Sequence, residues 1–380
     1  MSIRQMFPGS IVKPGFNPLA AQTSTTTYFY YLYTWGSNNN GQLGLSNTTY
    51  YSSPKQVGSL TNWTQTAGMF EAASAIKNDG TLWSWGWNNS GQLGLGNTTS
   101  YSSPKQIGAL TNWLKLAGGT YFCIAIKTDG TLWGWGRNTN GQLGLGNTTN
   151  YSSPKQIGSL TTWLNVTCGG TFTVVSKTDG TLWSWGANNT GQLGLNNTTY
   201  YSSPKQIGAL TGWSIPVANF QGSHVVAIKT NGTLWSWGAN SQGQLGLGDS
   251  TYKISPNQIG ALTTWEKGSC TSGSSFFIST TGTLFSWGKN NFGQLGIGNR
   301  TRYSSPKQVG SLTDWSIISG GDDFVNSIKT NDTLWSWGYN AQGQLGQGNT
   351  ANYSSPKQVG SLTTWGLVGN GSTFAMALLY

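Results

Sequence analysis

The tetrapeptide Gly-Gln-Leu-Gly occurs seven times in this 380-residue chain, and this repetition constrains the fold more than any other feature. Successive copies start 50 residues apart, except that one interval is 52. Each copy lies between Leu-Trp-Ser-Trp-Gly-x-Asn and Tyr-Ser-Ser-Pro-Lys-Gln, or close variants of them, and is followed by Leu-Thr-x-Trp. The copies begin at Gly41, Gly91, Gly141, Gly191, Gly243, Gly293 and Gly343.

One repeat unit, residues 114–163, contains the pattern of four short strands. Residues 114–118 and 121–127 are apolar runs, and residues 131–135 alternate large and small side chains. Asp129-Gly130 predicts a tight hairpin turn. A fourth, outer strand is predicted to start at Pro154, because proline at the start of an edge strand forfeits no internal ladder hydrogen bond. Seven such antiparallel units predict an all-β, seven-bladed β-propeller.

The two ends of the chain predict how the ring closes. Residues 31–36 read as a third strand, whereas residues 366–368 and 373–379 read as a first and a second strand. N-terminal strands paired with C-terminal strands in one blade leave no exposed sheet edge at the junction. We therefore expect two regions, an N-terminal arm at residues 1–27 and a propeller at residues 28–380.

Charge and cysteine content bear on partners and compartment. Only 8% of residues are charged, and the formal net charge is +10. Eleven of the 20 basic residues belong to the repeat, so a solvated rim is favoured over a nucleic-acid-binding stripe. Cys123, Cys168 and Cys270 are predicted to be buried free thiols, which is typical of a reducing compartment. With neither signal peptide nor membrane span predicted, synthesis in the cytoplasm is expected, and incorporation into a virion is compatible with it.

The repeat resembles that of the regulator of chromosome condensation family over nearly the whole chain. The resemblance rests on Asx-Gly-Thr-Leu-Trp-x-Trp-Gly-x-Asn followed by Gly-Gln-Leu-Gly-Leu-Gly. It implies a seven-bladed propeller that binds proteins, since members include an exchange factor for a small GTPase, chromatin binders and secreted bacterial inhibitors. The family's histidine before the second strand is present only at His224. The chain also lacks a long insertion comparable to the exchange factor's wedge, so exchange activity is not carried over.

The residues that could support catalysis are better explained by structure. His224 is the single histidine and is predicted to hold a structural hydrogen bond. Asp79, Asp129 and Asp179 are turn residues. Asp322 and Asp323 are unusual among the copies but have no nearby base or nucleophile, which favours a contact surface. We therefore predict no enzymatic activity, catalytic residue, metal site, cofactor or small-molecule substrate.

Differences between the copies fall on one predicted face. Strand alternation places the loop between the first and second strands on the same side as the loop between the third and fourth. Aromatic and cationic side chains there have the composition favoured at protein contacts. We predict a partner-binding face, and neutral drift among recent duplicates is the alternative. The predicted residues are Met69, Phe70, Trp87, Tyr121, Arg137, Lys289, Phe292 and Tyr339.

The arm at residues 1–27 has no repeat. Three prolines between residues 8 and 18 exclude a helix there. We expect its apolar side chains, Phe7, Ile11, Val12 and Phe16, to dock the propeller onto a larger assembly. The favoured function is a non-enzymatic interaction or structural module, such as a phage-like virion component or a host-recognition component. The alternative is an intracellular regulator that binds a small GTPase or chromatin.

Overall fold

The computed structural model describes residues 30–380, which form twenty-eight β-strands. Blade 1 contains β3 (Trp63–Gly68), β4 (Ala72–Lys77), β5 (Leu82–Gly86) and β6 (Tyr101–Gln106). Blade 2 contains β7 (Trp113–Gly118), β8 (Phe122–Lys127), β9 (Leu132–Gly136) and β10 (Tyr151–Gln156). Blade 3 contains β11 (Trp163–Cys168), β12 (Phe172–Lys177), β13 (Leu182–Gly186) and β14 (Tyr201–Gln206).

The second half of the chain repeats this arrangement. Blade 4 contains β15 (Trp213–Val217), β16 (His224–Lys229), β17 (Leu234–Gly238) and β18 (Lys253–Gln258). Blade 5 contains β19 (Trp265–Cys270), β20 (Ser274–Ser279), β21 (Leu284–Gly288) and β22 (Tyr303–Gln308). Blade 6 contains β23 (Trp315–Gly320), β24 (Phe324–Lys329), β25 (Leu334–Gly338) and β26 (Tyr353–Gln358). Blade 7 contains β27 (Trp365–Asn370), β28 (Phe374–Leu379), β1 (Tyr31–Gly36) and β2 (Tyr51–Gln56).

Blade 7 is built from both ends of the chain and closes the ring, as predicted. Its strand order is β2-β1-β28-β27, whereas the strands of every other blade follow chain order. β1 and β28 pair antiparallel in continuous register from Tyr31 opposite Leu379 to Gly36 opposite Phe374. The predicted seven-bladed, all-β propeller is confirmed.

The outer strand departs from the prediction in where it begins. In blade 2, β10 starts at Tyr151 rather than at Pro154, so the proline lies inside the strand. The ladder to β9 is irregular there, because its register shifts between Tyr151 and Lys155. An edge strand with a bulge accommodates proline, since that backbone position needs no ladder donor.

The hydrophobic core lies between neighbouring blades. One cluster joins Leu82 of blade 1 to Trp113 and Trp135 of blade 2, all at most 3% exposed. Within blade 2 the Trp113 ring meets Trp133 and Trp135 edge to face, with centroids 6.1 Å and 6.0 Å apart. Buried aromatic area of this kind is the main favourable term in a sheet-on-sheet core. The three cysteines are buried free thiols, as predicted.

The Gly-Gln-Leu-Gly loop fastens each blade to the next. In the copy starting at Gly91, the Gln92 carbonyl accepts a hydrogen bond from Trp135 Nε1 of the following blade, at 3.0 Å. A Cβ on Gly94 would lie 2.8 Å from that indole nitrogen, and one on Gly91 would lie 2.6 Å from Ser152 Cα. The glycines are therefore required by close approach as well as by turn geometry. All seven junctions have this bond, at 2.8–3.0 Å, and we call it the latch.

Lysines that precede the hairpin turns pack against tryptophan rings. Lys127 Nζ lies 3.8 Å from the Trp133 ring centroid and 4.9 Å from that of Trp113. Lys127, Lys177 and Lys329 are only 5–7% exposed. The predicted solvated rim is therefore wrong for these three lysines, because their ammonium groups are held by cation–π contacts.

Candidate functional site

The two sets of variable loops meet on one face, as strand alternation requires. We define the variable face as the loops that join the first to the second strand and the third to the fourth strand of each blade. Phe70 and Tyr121 come from loops of the first kind, and Trp87 from a loop of the second. The Tyr121 ring contacts Phe70 and Trp87 edge to face, with centroids 5.7 Å and 5.1 Å apart.

These residues form one of two patches, which we call the Trp87 patch: Phe70, Trp87, Tyr121 and Arg137. The Arg137 guanidinium lies 5.7 Å from the centre of the Tyr121 ring. Arg137 Nε also donates to Thr139 Oγ1 at 3.1 Å, which fixes the side chain. All four residues are half-buried. Side chains packed against each other before binding lose little conformational entropy on contact with a partner.

Glu71 provides a carboxylate beside the Trp87 patch. Its Oε2 accepts a hydrogen bond from Asn40 Nδ2 of blade 7 at 2.9 Å. Partial burial raises the pKa of Glu71. The pKa of Tyr121 is also raised, first by burial and then by the charge of Glu71, while Arg137 opposes the shift.

The second patch lies on blades 5 and 6, and we call it the Tyr339 patch: Lys289, Phe292, Asp323 and Tyr339. The Phe292 and Tyr339 rings are 4.7 Å apart between centroids. Lys289 Nζ forms an ion pair with Asp323 Oδ2 at 2.7 Å and lies 5.9 Å from the Phe292 ring centre. Asp323 is 8% exposed and also accepts from Gln294 Nε2 at 2.8 Å. Lys289 is therefore already neutralised within the protein.

Met69 does not belong to the face, and its prediction as a surface residue is wrong. It is 0% exposed and packs in the core between blades 1 and 2. Its neighbour Phe70 is half-buried and contacts Tyr121. The other seven predicted residues lie in the two patches, which are separated by blade 7 on one side and by blades 3 and 4 on the other.

A third feature of the variable face was missed by sequence reasoning. The 52-residue interval lengthens the loop between β15 and β16, residues 218–223, and this loop crosses the ring axis; we call it the plug loop. Asn219 Nδ2 donates to the carbonyls of Cys270 in blade 5, at 3.0 Å, and of Gly321 in blade 6, at 2.9 Å. Thr120 Oγ1 of blade 2 donates to the Phe220 carbonyl. One loop can contact blades on opposite sides only by spanning the axis.

The plug loop also binds the acidic loop of blade 6. Gln221, with its amide nitrogen turned toward Asp322, lies 2.7 Å and 3.0 Å from the two carboxylate oxygens. Burial raises the pKa of Asp322. The two aspartates predicted to form a contact surface therefore make internal contacts, Asp322 with the plug loop and Asp323 with Lys289.

His224 follows the plug loop at the start of β16 and is fully buried. Its Nε2 lies 3.0 Å from Ser275 Oγ of blade 5, so it makes an interblade hydrogen bond. Burial lowers the pKa of His224 to about 4. Within residues 30–380, no three His, Cys, Asp or Glu side chains are grouped so that they could hold a metal ion.

The opposite face carries one exposed leucine per blade, in the loops that connect successive blades. These loops pack beside the hairpin turns, as when Asn78 N donates to the Asn62 carbonyl at 2.8 Å. The leucines are 37–52% exposed: Leu60, Leu110, Leu160, Leu210, Leu262, Leu312 and Leu362. No helix long and apolar enough to cross a membrane occurs in the part of the chain that the structure describes.

Seven latched blades with individual loops on one face define a β-propeller built from a single repeated unit. The sequence model of the regulator of chromosome condensation (RCC1) repeat matches residues 31–68, 79–126, 129–176, 179–228, 231–278, 281–327 and 331–378. The chain therefore belongs to the RCC1 repeat family. A second RCC1 repeat model matches residues 113–142, 164–192 and 266–294. No curated protein sequence matches the chain significantly.

Solved structures show the same fold at low sequence identity. Human WBSCR16 is 19% identical, with a TM-score of 0.82 over 92% of this chain and 98% of its own. Prp20p from Saccharomyces cerevisiae, described with its binding properties to Gsp1p and histones, is 19% identical, with a TM-score of 0.83 over 92% and 91%. Yeast RCC1 (Prp20) bound to Kap60 has the same identity and TM-score, over 92% and 88%.

Proposed function

We propose that this protein is a non-enzymatic interaction module that binds a protein partner through its variable face. The observation that carries the proposal is the pair of preassembled aromatic patches, one of which includes the Arg137 cation. Tyr121 contacts both Phe70 and Trp87 before any partner arrives. Interface hot spots are enriched in Trp, Tyr and Arg, which are the residue types of the Trp87 patch.

The two patches favour a macromolecule over a small ligand. They lie on blades 1–2 and 5–6, so one partner must extend across the face to touch both. Between them the plug loop closes the axis with Phe220, which is 5% exposed. A face without a deep opening suits a protein surface, because small-molecule sites are concave and enclose most of their ligand.

The test is quantitative affinity capture with four immobilised proteins: wild type, Trp87→Ala, Tyr339→Ala and the double variant. Proteins retained by wild type should be lost from the double variant and reduced by each single one, since truncating a hot-spot aromatic costs about 2 kcal/mol or more. The bound fraction is measured by mass spectrometry against wild type.

The matched control is the double variant Leu110→Ala and Leu210→Ala, which truncates side chains 48% and 49% exposed on the opposite face. It should retain every partner that wild type retains. Binding that survives truncation of Trp87 and Tyr339, or that falls only with the leucine variants, would contradict the proposal.

A small GTPase is the second candidate partner, since Prp20p is described as binding Gsp1p and histones. The formal charge of +10 disfavours strongly basic partners such as histones. Purified Gsp1p and purified histones are therefore suitable probes in the same capture assay. Retention of Gsp1p that depends on Trp87 would support a GTPase partner. If Gsp1p is not retained, the general proposal of a protein partner on the variable face stands without this candidate.

The finer proposal concerns residues 1–27, which lie outside the described residues. Support comes from composition: Phe7, Ile11, Val12 and Phe16 accompany prolines that exclude a helix. We propose that this arm docks the propeller onto a larger assembly such as a virion. Deleting residues 2–24 should abolish co-sedimentation with assembled particles and leave the circular dichroism of the ring unchanged, because β1 begins at Tyr31. Undiminished co-sedimentation would refute the arm proposal.

A further inference from the structure

The axial channel of the ring is lined by two lysines that the proposed function does not use. The channel has a volume of about 200 Å³ and is bordered by all seven inner strands, with Asn219 and Phe220 of the plug loop also in its wall. Lys115 is the third residue of β7, and Lys267 is the third residue of β19. Equivalent positions lie at one level along the axis, and blades 2 and 5 are as far apart as two blades of a seven-membered ring can be.

Both ammonium groups are held by neutral oxygen atoms. Lys115 Nζ donates to the Leu164 carbonyl and to Asn165 Oδ1, each at 2.7 Å. Lys267 Nζ donates to the Ser316 carbonyl at 3.1 Å. An ammonium group has three N–H donors. One donor of Lys115 therefore remains available to a ligand, and two donors of Lys267 remain available to a ligand or to the nearby Glu266.

The channel wall lacks negative charge in the described part of the chain, because no Asp or Glu is among the residues that line it. Glu266 Oε1 lies 3.9 Å from Lys267 Nζ, but its side chain is 33% exposed. Burial lowers the pKa of Lys115 to about 8, so its neutral partners do not offset the desolvation of the charge. An anion in the channel would offset it.

The third residues of the other five inner strands determine what kind of anion fits between the lysines. Asn165 and Ile215 lie between the two lysines on one side of the ring, and Ile317, Leu367 and Gln65 lie between them on the other. Each side therefore has at least one aliphatic side chain, with a polar residue next to Lys115. A volume near 200 Å³ is below the range typical of drug-sized ligands. A small ligand charged at both ends with an aliphatic middle matches two cations that have aliphatic side chains between them on both sides of the ring.

We propose that the axial channel binds a small aliphatic dicarboxylate, with one carboxylate facing Lys115 and the other facing Lys267. The plug loop closes the channel at the variable face, so the ligand enters from the leucine-bearing face. This site is separate from the partner-binding face, and either can exist without the other.

Isothermal titration calorimetry at constant ionic strength tests the proposal, with malonate, succinate, glutarate and adipate as probes. One chain length should bind best to wild type. Lys115→Met and Lys267→Met should each weaken that binding by roughly tenfold, because each removes a charge-assisted hydrogen bond. Lys115→Arg, which keeps the charge, should bind measurably if Lys115→Met does not fold.

The matched control is Lys105→Met with Lys307→Met, which removes two outer-strand lysines that lie over Tyr101 and Tyr303. This variant loses two positive charges, one more than either single channel variant, and should still bind the dicarboxylate as wild type does. Absence of binding by wild type, equal loss in the control, or sulfate binding as tightly as any dicarboxylate would overturn the proposal.

Discussion

His224 differs from most polar residues of the chain because it is titratable, fully buried and held by one hydroxyl group. Burial lowers its pKa to about 4, whereas its ordinary value is 6.5. The folded protein therefore keeps the imidazole neutral at a pH where the unfolded chain is already protonated. Stability is lost as pH falls from about 6.5 toward about 4, since in that window the unfolded state binds more protons.

We predict that His224→Gln removes much of this acid sensitivity. Wild type should lose about 3 kcal/mol of unfolding free energy from this group between neutral pH and about pH 4, at roughly 1.4 kcal/mol per pKa unit. Glutamine can still reach Ser275, so its cost at neutral pH should be about 1 kcal/mol. Urea unfolding at several pH values measures both, and parallel pH profiles for the two proteins would disprove the assignment.

Single residues also show where sequence reasoning succeeds and fails. Trp87 and Tyr339 could be placed on the variable face from sequence, because both follow Trp-Gly in the repeat, at a position whose residue differs among most copies. Met69 was misassigned because a turn has no periodicity to tell an inward side chain from an outward one. Lys115 and Lys267 were missed because a strand residue reveals its approach to the axis only when seven inner strands are placed around it.

At the scale of one element, the plug loop shows how a small insertion acquires a large structural role. An insertion of two residues cannot be recognised from sequence as a loop that crosses the axis, and no motif indicates which groups the loop would contact. The partners are backbone carbonyls of blades 5 and 6, which no sequence pattern can identify. Local elements were predictable instead, because Asp-Gly turns and period-two alternation act within a few residues.

We predict that Asn219→Ala loosens the plug loop as a unit. Asn219 Nδ2 lies within 3.4 Å of three carbonyl oxygens, at Cys270, Gly320 and Gly321, and alanine would leave these buried groups without their donor. The unfolding free energy should fall by about 2 kcal/mol. Amides of residues 218–223 should exchange with deuterium faster than in wild type.

The control for this prediction is Asn89→Ala, at an exposed loop position of blade 1. Its unfolding free energy should stay within about 0.5 kcal/mol of wild type. Wild-type exchange rates in the plug loop of Asn219→Ala would show that backbone contacts alone hold the loop across the axis.

At the scale of the whole molecule, the ring and its closure follow from two features of the sequence, the number of repeats and the strands at the two ends of the repeated region. Seven copies set the number of blades, and a chain that starts on a third strand and ends on a second can complete its last blade in only one way. The six consecutive pairs between β1 and β28 then join the two ends. The partner is not predictable in this way, since contacts outside the chain leave no repeat to compare.

The latches give this nearly symmetric molecule a sense of rotation. Trp135 donates to Gln92 of the preceding blade, and Trp35 likewise donates to Gln344, so every bond runs in the same direction around the axis. Each blade donates this hydrogen bond to the preceding blade, and blade 1 donates to blade 7 from Trp85 to the Gln42 carbonyl. The dependence is circular and has no first member. The two neighbours of every blade are therefore not equivalent, although the blades look alike. Removing one blade would take a hydrogen-bond acceptor from the following blade and a hydrogen-bond donor from the preceding blade.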